Sequence, residues 1–502
     1  MQLQPTGSLW LKEHYKLSQY NLTHCSYIGS SASIELTSKG NVEQVYGPKY
    51  KVAADEPLLH IEFSLKYDDL SLDLLKAVYE KIGEADIIAF VASSPGSKYA
   101  RKIGFLYEFL TGKKVDLARP VSGNYADLLD GDDYITGQID KNTKWRINNN
   151  LLGTDEFCPV VRKTKELKEL LSEDIHKKIQ QVKDKYPREL FKRAVSYLYR
   201  KETKSSYEIE KEQPSPDRTE KFIGLLEKAG TETAAEMLDK ERLIKLQNAI
   251  VDSRFAAADF RDFQNYIGET LPTYQENVHY ICPPPAIVGS LMKGLRETAF
   301  KTRGASPEIR AALIAFGFVF IHPFEDGNGR LHRFLIHDML VQDGIVPPGW
   351  IIPVSAHMLN HLKDYDNILE RYSKPLMQRA RYEKTEKEEI RLINGKEMEG
   401  YYRYPDLTDH SIYLMNTIRA TIREDMQDEL QFIQRYDEAK KELQRIVDMP
   451  DKLINMMLTF LHQNEGVFPK RRREYFDKLT DDEIQRMQDA YRAVYELDDG
   501  RG

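Results

Sequence analysis

Cysteine is scarce in this chain, with three among 502 residues. Cys25, Cys158 and Cys282 lie far apart and no CxxC pair exists. Neither a disulfide framework nor a cysteine zinc site is expected, and a reducing cytoplasm fits best. Long apolar runs are lacking too. The longest, around Ala311–Ile321, is too short to span a bilayer, so no membrane partner is expected. The N-terminal stretch MQLQPTGSLWLKEHYKLSQY has no basic segment followed by an apolar one, so it does not read as a signal peptide. Charge is nearly balanced, 72 basic against 79 acidic residues for a net of -7, which argues against nucleic-acid binding by the chain as a whole and leaves only a local basic patch open. No internal repeat or low-complexity tract is visible. What remains is an ordinary globular composition, 41% hydrophobic and 30% charged. At this length one core does not suffice, and roughly two to four domains are expected.

The N-terminal part mixes element types. Ser33–Val45 alternates like a hairpin around Lys39-Gly40-Asn41. The run HIEFSLKYDDLSLDLLKAVYEKI has apolar residues at helical spacing, and Ile87–Val91 and Lys98–Thr111 read as further helix, the second stopped by Gly112. Trp145–Leu152 ends at a glycine, and a charged amphipathic helix starts at Thr164. The polar segment Lys201–Thr219, with Pro214 and Pro216, reads either as a linker or as the hiding place of a short helix. From Glu220 to about Pro375 the pattern is strongly helical, with turns at Gly268-Glu269, Pro283-Pro284-Pro285 and Pro347-Pro348-Gly349. Ser306-Pro307-Glu308 is a helix start with Ser306 as cap. The helix it opens, Glu308–Ile321, is apolar on nearly all sides and should run through a core. Beyond Lys384 come a long charged helix, roughly Asp409–Val447, then Asp451–His462, and a last helix opened by the capping-box spacing of Thr480 and Glu483.

Chemistry concentrates in HPFEDGNGRLHR, His322–Arg333. Gly327-Asn328-Gly329 can turn several N–H groups toward one point at the start of the helix Arg330–Gln342, which makes an anion nest. Arg330 and Arg333, three apart, share a helix face and can both reach a phosphate. Asp326 supplies one carboxylate, which with phosphate oxygens suits magnesium. His322 can remove a hydroxyl proton at neutral pH. Phe324 is expected to face inward and fix the loop.

This stretch resembles the signature of the Fic family, His-x-Phe-x-Asp/Glu-Gly-Asn-Gly-Arg-x-x-Arg, and meets every specified position. The resemblance implies transfer of AMP from ATP to a Ser, Thr or Tyr hydroxyl of a protein, with the chain itself included among targets. It implies His322 as base, Asp326 as holder of Mg2+, and Gly327, Asn328 and Gly329 as phosphate cradle. Arg330 would act on the leaving diphosphate and Arg333 on the gamma phosphate. ADFRDFQNYIG (258–268) is similar to a second family segment, and VHYICPPP (278–285) to the family's flap, a strand that holds a target by main-chain pairing. DYDNILERYSKP (364–375) resembles the helix over the adenine, with Tyr365 and Leu369 as base contacts.

One class of the family carries an inhibitory helix with Ser/Thr-x-x-x-Glu-Gly/Asn, whose glutamate pairs with the second arginine of the signature. SYEIEKE places Ser206 and Glu210 at that spacing, so the resemblance implies Glu210 as inhibitory residue and a buried pair with Arg333. Lys211 stands where the family has Gly or Asn. The same spacing recurs at Ser31/Glu35 and Thr385/Glu389, and only position favours Glu210.

The C-terminal part, with Asn464-Glu465-Gly466 and PKRRRE (469–474), resembles a small winged-helix-like unit, in which Lys470–Arg473 could meet a phosphate backbone. A solvated charged face explains the run as well, so DNA is the less favoured partner. The expected fold is mainly α. It comprises a mixed α/β region (1–198), a helical Fic core with a β-hairpin flap and an inhibitory helix near 203–212 (199–380), and a helical C-terminal region (381–502). Two alternatives stand: a Fic-type transferase with another donor, such as UTP or a phosphocholine carrier, and a transcriptional regulator with a ligand-sensing Fic core. Gly329 argues against the kinase-like variant, which has Lys there, and an intact His322 argues against a mere sensor. A homo-oligomer stays open.

Overall fold

The computed structural model describes residues 3–37, 41–53, 55–270, 276–347, 349–385 and 389–497. Helices dominate it, as expected, and the sheets are small. At the N-terminal end, His24–Ile28 pairs antiparallel with Gln4–Thr6 and parallel with Val42–Tyr46, which pairs antiparallel with the edge strand Ser33–Leu36. The hairpin expected at 33–45 is therefore present; Lys39 and Gly40 of its turn lie outside the described residues.

The apolar run from His60 forms two helices, Pro57–Tyr67 and Leu72–Tyr79, where continuous periodicity suggests one. The cause is Asp68. Its carboxylate accepts the Ser8 N–H at 2.7 Å and the Ser26 hydroxyl at 2.5 Å, which draws the chain out of the helix, and Ser71 then caps the next one. Lys98–Thr111 ends at Gly112 in the left-handed conformation (φ 70°). Trp145–Leu152 contributes a short strand, Ile147–Asn149, and buries Trp145 against Gly104, where a Cβ would lie 2.2 Å from the indole.

Three main apolar clusters organise the chain. The first joins Leu9–Val160 with Tyr404, the central one runs from Ile135 to Leu430, and the third from Ala439 to Tyr491. The central cluster thus crosses both 198/199 and 380/381. Its axis is the helix Pro307–Ile321, in which every residue from Glu308 on is buried, so the all-round apolar pattern does mark a core helix. Ser306 opens it without a side-chain cap; its hydroxyl donates to Glu308 instead, at 2.7 Å.

The polar segment 201–219 is no linker. Its first half completes a 22-residue helix, Arg188–Ile209, and Ser215 caps the next, Pro216–Leu226. Gly268-Glu269, read as a turn, lies within the strand Tyr266–Thr270 at a bulge between Ile267 and Gly268. That strand pairs antiparallel with Glu276–Ile281, so the expected flap is a two-stranded ribbon whose tip, 271–275, is outside the described residues. Pro348 of the later turn is outside them too. The Tyr402 hydroxyl braces the ribbon by donating to Ile281 O at 2.9 Å.

The charged helix expected over 409–447 is broken at Glu424 into Thr408–Arg423 and Asp425–Ile446, with Asp425 buried 2.8 Å from His357 Nδ1. The C-terminal unit consists of helices packed on one another, and among the described residues it contains no strand, hence no wing. Thr480 and Glu483 form the capping box. Arg473 is spent on Phe476 O, Leu479 O and Asp481, and Arg472 on the rings of Phe460 and Tyr475; Lys470 and Arg471 are the exposed members of the basic run. No helix among the described residues is long and apolar enough to cross a membrane.

Candidate active site

The core helix Pro307–Ile321 ends on His322, which adopts the left-handed conformation (φ 52°, ψ 60°). For a non-glycine residue this costs about 1–3 kcal/mol and persists only where neighbours enforce it. His322 Nδ1 lies 3.2 Å from Val319 O. A carbonyl only accepts, so this nitrogen carries the proton and Nε2 presents its lone pair. Burial first, then the Arg261 charge, push the imidazole pKa down to about 4, while Glu210 and Asp326 oppose them more weakly. A neutral, tautomer-fixed imidazole is the form a base requires.

After His322 the chain dives. Phe324 is fully buried, and the Asn328 side chain clasps it from both sides, accepting the Phe324 N–H at 3.0 Å and donating to Phe324 O at 2.9 Å. Asn328 therefore serves the nest through its backbone only. Gly327 caps the helix Asn328–Gln342 with φ 87°, which only glycine adopts freely.

Arg330 and Arg333 are each 1% exposed. Arg333 donates from Nε to Ser206 Oγ (2.9 Å) and from Nη2 to Ser206 O (2.7 Å) and Glu210 Oε1 (2.8 Å). Ser206 and Glu210 thus meet the arginine from one helical face, as their spacing implies. The pair is not the buried one expected, because the Glu210 side chain is 35% exposed. Its carboxylate reaches the nest itself: a Cβ on Gly329 would lie 2.1 Å from Glu210 Oε1. Burial works against the Arg333 charge, yet Glu210 and Tyr365 together outweigh it and raise the pKa. Of the other pairs at the same spacing, Glu35 sits on the exposed edge strand, and Thr385 closes a local turn with Glu389.

Lys211, where glycine or asparagine was expected, takes up the left-handed conformation regardless (φ 57°). Its N–H donates to Glu208 O and that of Glu212 to Tyr207 O, the two bonds of a Schellman helix end. A lysine there costs about 1 kcal/mol relative to glycine. Lys211→Gly should therefore tighten the helix end, visible as a small rise in melting temperature together with a lower basal activity; an increase in activity would contradict this reading of the turn.

Arg330 donates to Glu212 Oε2 at 2.9 Å and to Asp326 Oδ1 at 2.5 Å, with its guanidinium over the Tyr207 ring. Glu212 escapes sequence reading because Glu208, Glu210 and Glu212 alternate in one run and only the helix end decides which of them turn inward. Asp326 Oδ1 also accepts the Gly327 N–H at 2.5 Å. Among the described residues no group of three or more His, Cys, Asp or Glu could hold a metal. A cation at Asp326 would need phosphate oxygens and water to complete its shell, which fits one carboxylate beside an anion nest.

Tyr365 is 3% exposed, and its hydroxyl interacts electrostatically with the Arg333 guanidinium. Leu369, one turn on, is partly buried against the central core. Glu202, 1% exposed, lies 2.8 Å from His337 Nε2 and accepts the Ser355 N–H and hydroxyl. The helix carrying Ser206 is thereby bolted to the helix carrying Arg333, one turn from each. Sequence reading also passed over Gln247, which donates to Asp326 O at 3.2 Å from a fully buried position.

Residues 237–340 match the Fic/DOC family model. A Fido domain-containing protein of Dictyostelium discoideum is 34% identical over 91 residues, 18% of this chain and 61% of that protein, so the match spans less than two thirds of the relative. Among solved structures, a Fic family protein from Desulfovibrio desulfuricans G20 shares 16% identity, covering 56% of this chain and 80% of its own, with a TM-score of 0.36. A Fic domain containing signaling protein from Bacteroides thetaiotaomicron shares 17% identity, covering 52% and 97%, with a TM-score of 0.33. The loop 322–333 falls inside the family match and Glu210 outside it. The complete signature and the site built around it thus lie in a segment, residues 237–340, that is similar to the Fic/DOC family.

Proposed function

We propose that the protein transfers AMP from ATP to a hydroxyl of a protein side chain and that Glu210 restrains it. The observation that carries this reading is the position of the Glu210 carboxylate: an anion already sits against Gly329 on the buried guanidinium of Arg333. A site that takes a carboxylate there has the charge and the N–H donors for a phosphate. His322 Nε2 takes the proton of the target hydroxyl, the hydroxyl oxygen bonds the alpha phosphorus, and the bond from that phosphorus to the bridging oxygen breaks as diphosphate leaves. Arg330 neutralises the charge that develops on the leaving diphosphate, and Arg333 holds the gamma phosphate once Glu210 has given way. Asp326 would hold Mg2+, and the ion would supply positive charge against the phosphates. The target segment pairs with the free edge of the ribbon formed by Tyr266–Thr270 and Glu276–Ile281.

Mass spectrometry of Glu210→Gly protein incubated with mixed nucleotides and cell lysate tests this. An added AMP on a Ser, Thr or Tyr supports the reading and names the target, the chain itself included. A different added group reassigns the donor, and no adduct with any nucleotide overturns transferase activity.

A further inference from the structure

Arg261 is 6% exposed, and among the described residues no carboxylate forms an ion pair with it. Every partner of its guanidinium is a main-chain carbonyl. Nε donates to His322 O (2.8 Å), Nη1 to Phe263 O (2.8 Å), and Nη2 to Pro283 O (2.7 Å) and Ile321 O (3.4 Å). Its own N–H donates to Pro323 O at 2.9 Å. Apart from Phe263 O, in Arg261's own loop, these carbonyls belong to two places that the reaction must keep in register. Ile321, His322 and Pro323 form the left-handed exit of the core helix, and Pro283 follows directly on the flap strand. The neighbouring residues strengthen the same tie: Gln264 donates to Cys282 O at 2.6 Å and Asn265 to Phe324 O at 3.3 Å.

An uncompensated buried cation is costly, and only a planar fork of donors can satisfy this many carbonyls from one point. Carbonyls at a helix C-terminus are also the negative end of its dipole, which favours the charge there. A purely structural contact between two loops could be made by apolar side chains without burying a charge.

We propose that Arg261 is a positioning residue for proton transfer, one guanidinium that holds the His322 backbone and the root of the flap in a single frame, so that the base and the incoming hydroxyl arrive in register. This rests on the reading of His322 as base. Arg261 touches neither nucleotide-binding arginine, so it should govern turnover and not ATP affinity. Its charge faces His322 together with Glu210 from the upstream helix end and Asp326 from the same loop. Losing that charge should make His322 easier to protonate.

The test uses the full chain in a Glu210→Gly background, with Arg261→Lys, Arg261→Gln and His322→Ala compared on one target. Arg261→Lys keeps the charge and loses the fork, and kcat should fall by about 100-fold, the scale of a displacement near 1 Å, with KM for ATP unchanged. Arg261→Gln should show the same fall and also move the acid limb of the pH–rate profile upward, which a merely structural role would not do. Should Arg261→Gln fail to fold, the Lys variant decides alone. A kcat for Arg261→Lys within twofold of its parent, or a parallel loss of ATP affinity, overturns the inference. Retained activity in His322→Ala overturns the underlying reading instead, so the two failures are distinguishable.

Discussion

Replacing His322 with alanine should abolish incorporation of label from radioactive ATP, with a loss on the order of 100- to 10,000-fold in turnover, the usual worth of a positioned general base. ATP binding should survive, because the groups proposed to face the phosphates belong to the helix Asn328–Gln342 and its N-terminal turn, and not to His322. The form proposed to act as base is the neutral imidazole, whose pKa burial pushes down to about 4. Lowering the pH through about 4 therefore protonates it and removes activity, whereas the acid side of the profile should be flat between pH 6 and pH 8. An acid limb centred near pH 6.5 would mean that the ring is solvated during turnover. Undiminished labelling by the alanine variant would exclude His322 as the base altogether.

The second large effect concerns Glu210 and Glu212. Glu210→Gly should raise labelling by roughly tenfold or more, because the ATP-competent fraction grows when the carboxylate leaves the nest. The fold should tolerate the change, since Arg333 keeps both of its bonds to Ser206. Release should remain incomplete, because Glu212 still occupies Arg330. Adding Glu212→Gln should raise labelling further, and the gain should depend on Glu210 being absent. Identical labelling by wild type and Glu210→Gly would sink the inhibitory assignment. No increment from the double variant would assign Glu212 to holding the helix end through Arg218, 3.0 Å away, and not to restraint of Arg330.

The loop 322–333 is legible because its chemistry is local: the candidate base, the acid, the glycine turn and the arginines follow one another across a single loop and the first turns of the helix Asn328–Gln342, and each type has its own physical reason. The core helix was legible for a comparable reason, as an uninterrupted apolar run can only be buried. Glu210 could be found from spacing and position together. What escaped was set by partners distant in sequence. Asp68 breaks a helix because Ser8 and Ser26 call on its carboxylate, and nothing near position 68 announces that. Arg261 binds only carbonyls, which every residue carries, so no pattern of residue types betrays it. The segment 201–219 reads as a linker or as a hidden helix because its polar residues are polar for a purpose: Glu202, Ser206, Glu210 and Glu212 all bind groups of the core.

The anchoring of the helix Arg188–Ile209 bears on where this protein can be cut. The family match begins at residue 237 and ends at 340, yet Ser206, Glu210, Glu212, Glu202 and Tyr207 come before it, and Tyr402, which braces the flap, comes after. A fragment trimmed to the match would leave the Arg333 guanidinium without its carboxylate, Arg330 with Asp326 alone, His337 without Glu202, and the ribbon without its brace. The smallest piece that could stand in for the whole must reach from the Arg188 helix to beyond Tyr402, so the recognisable signature is much shorter than the unit that folds around it.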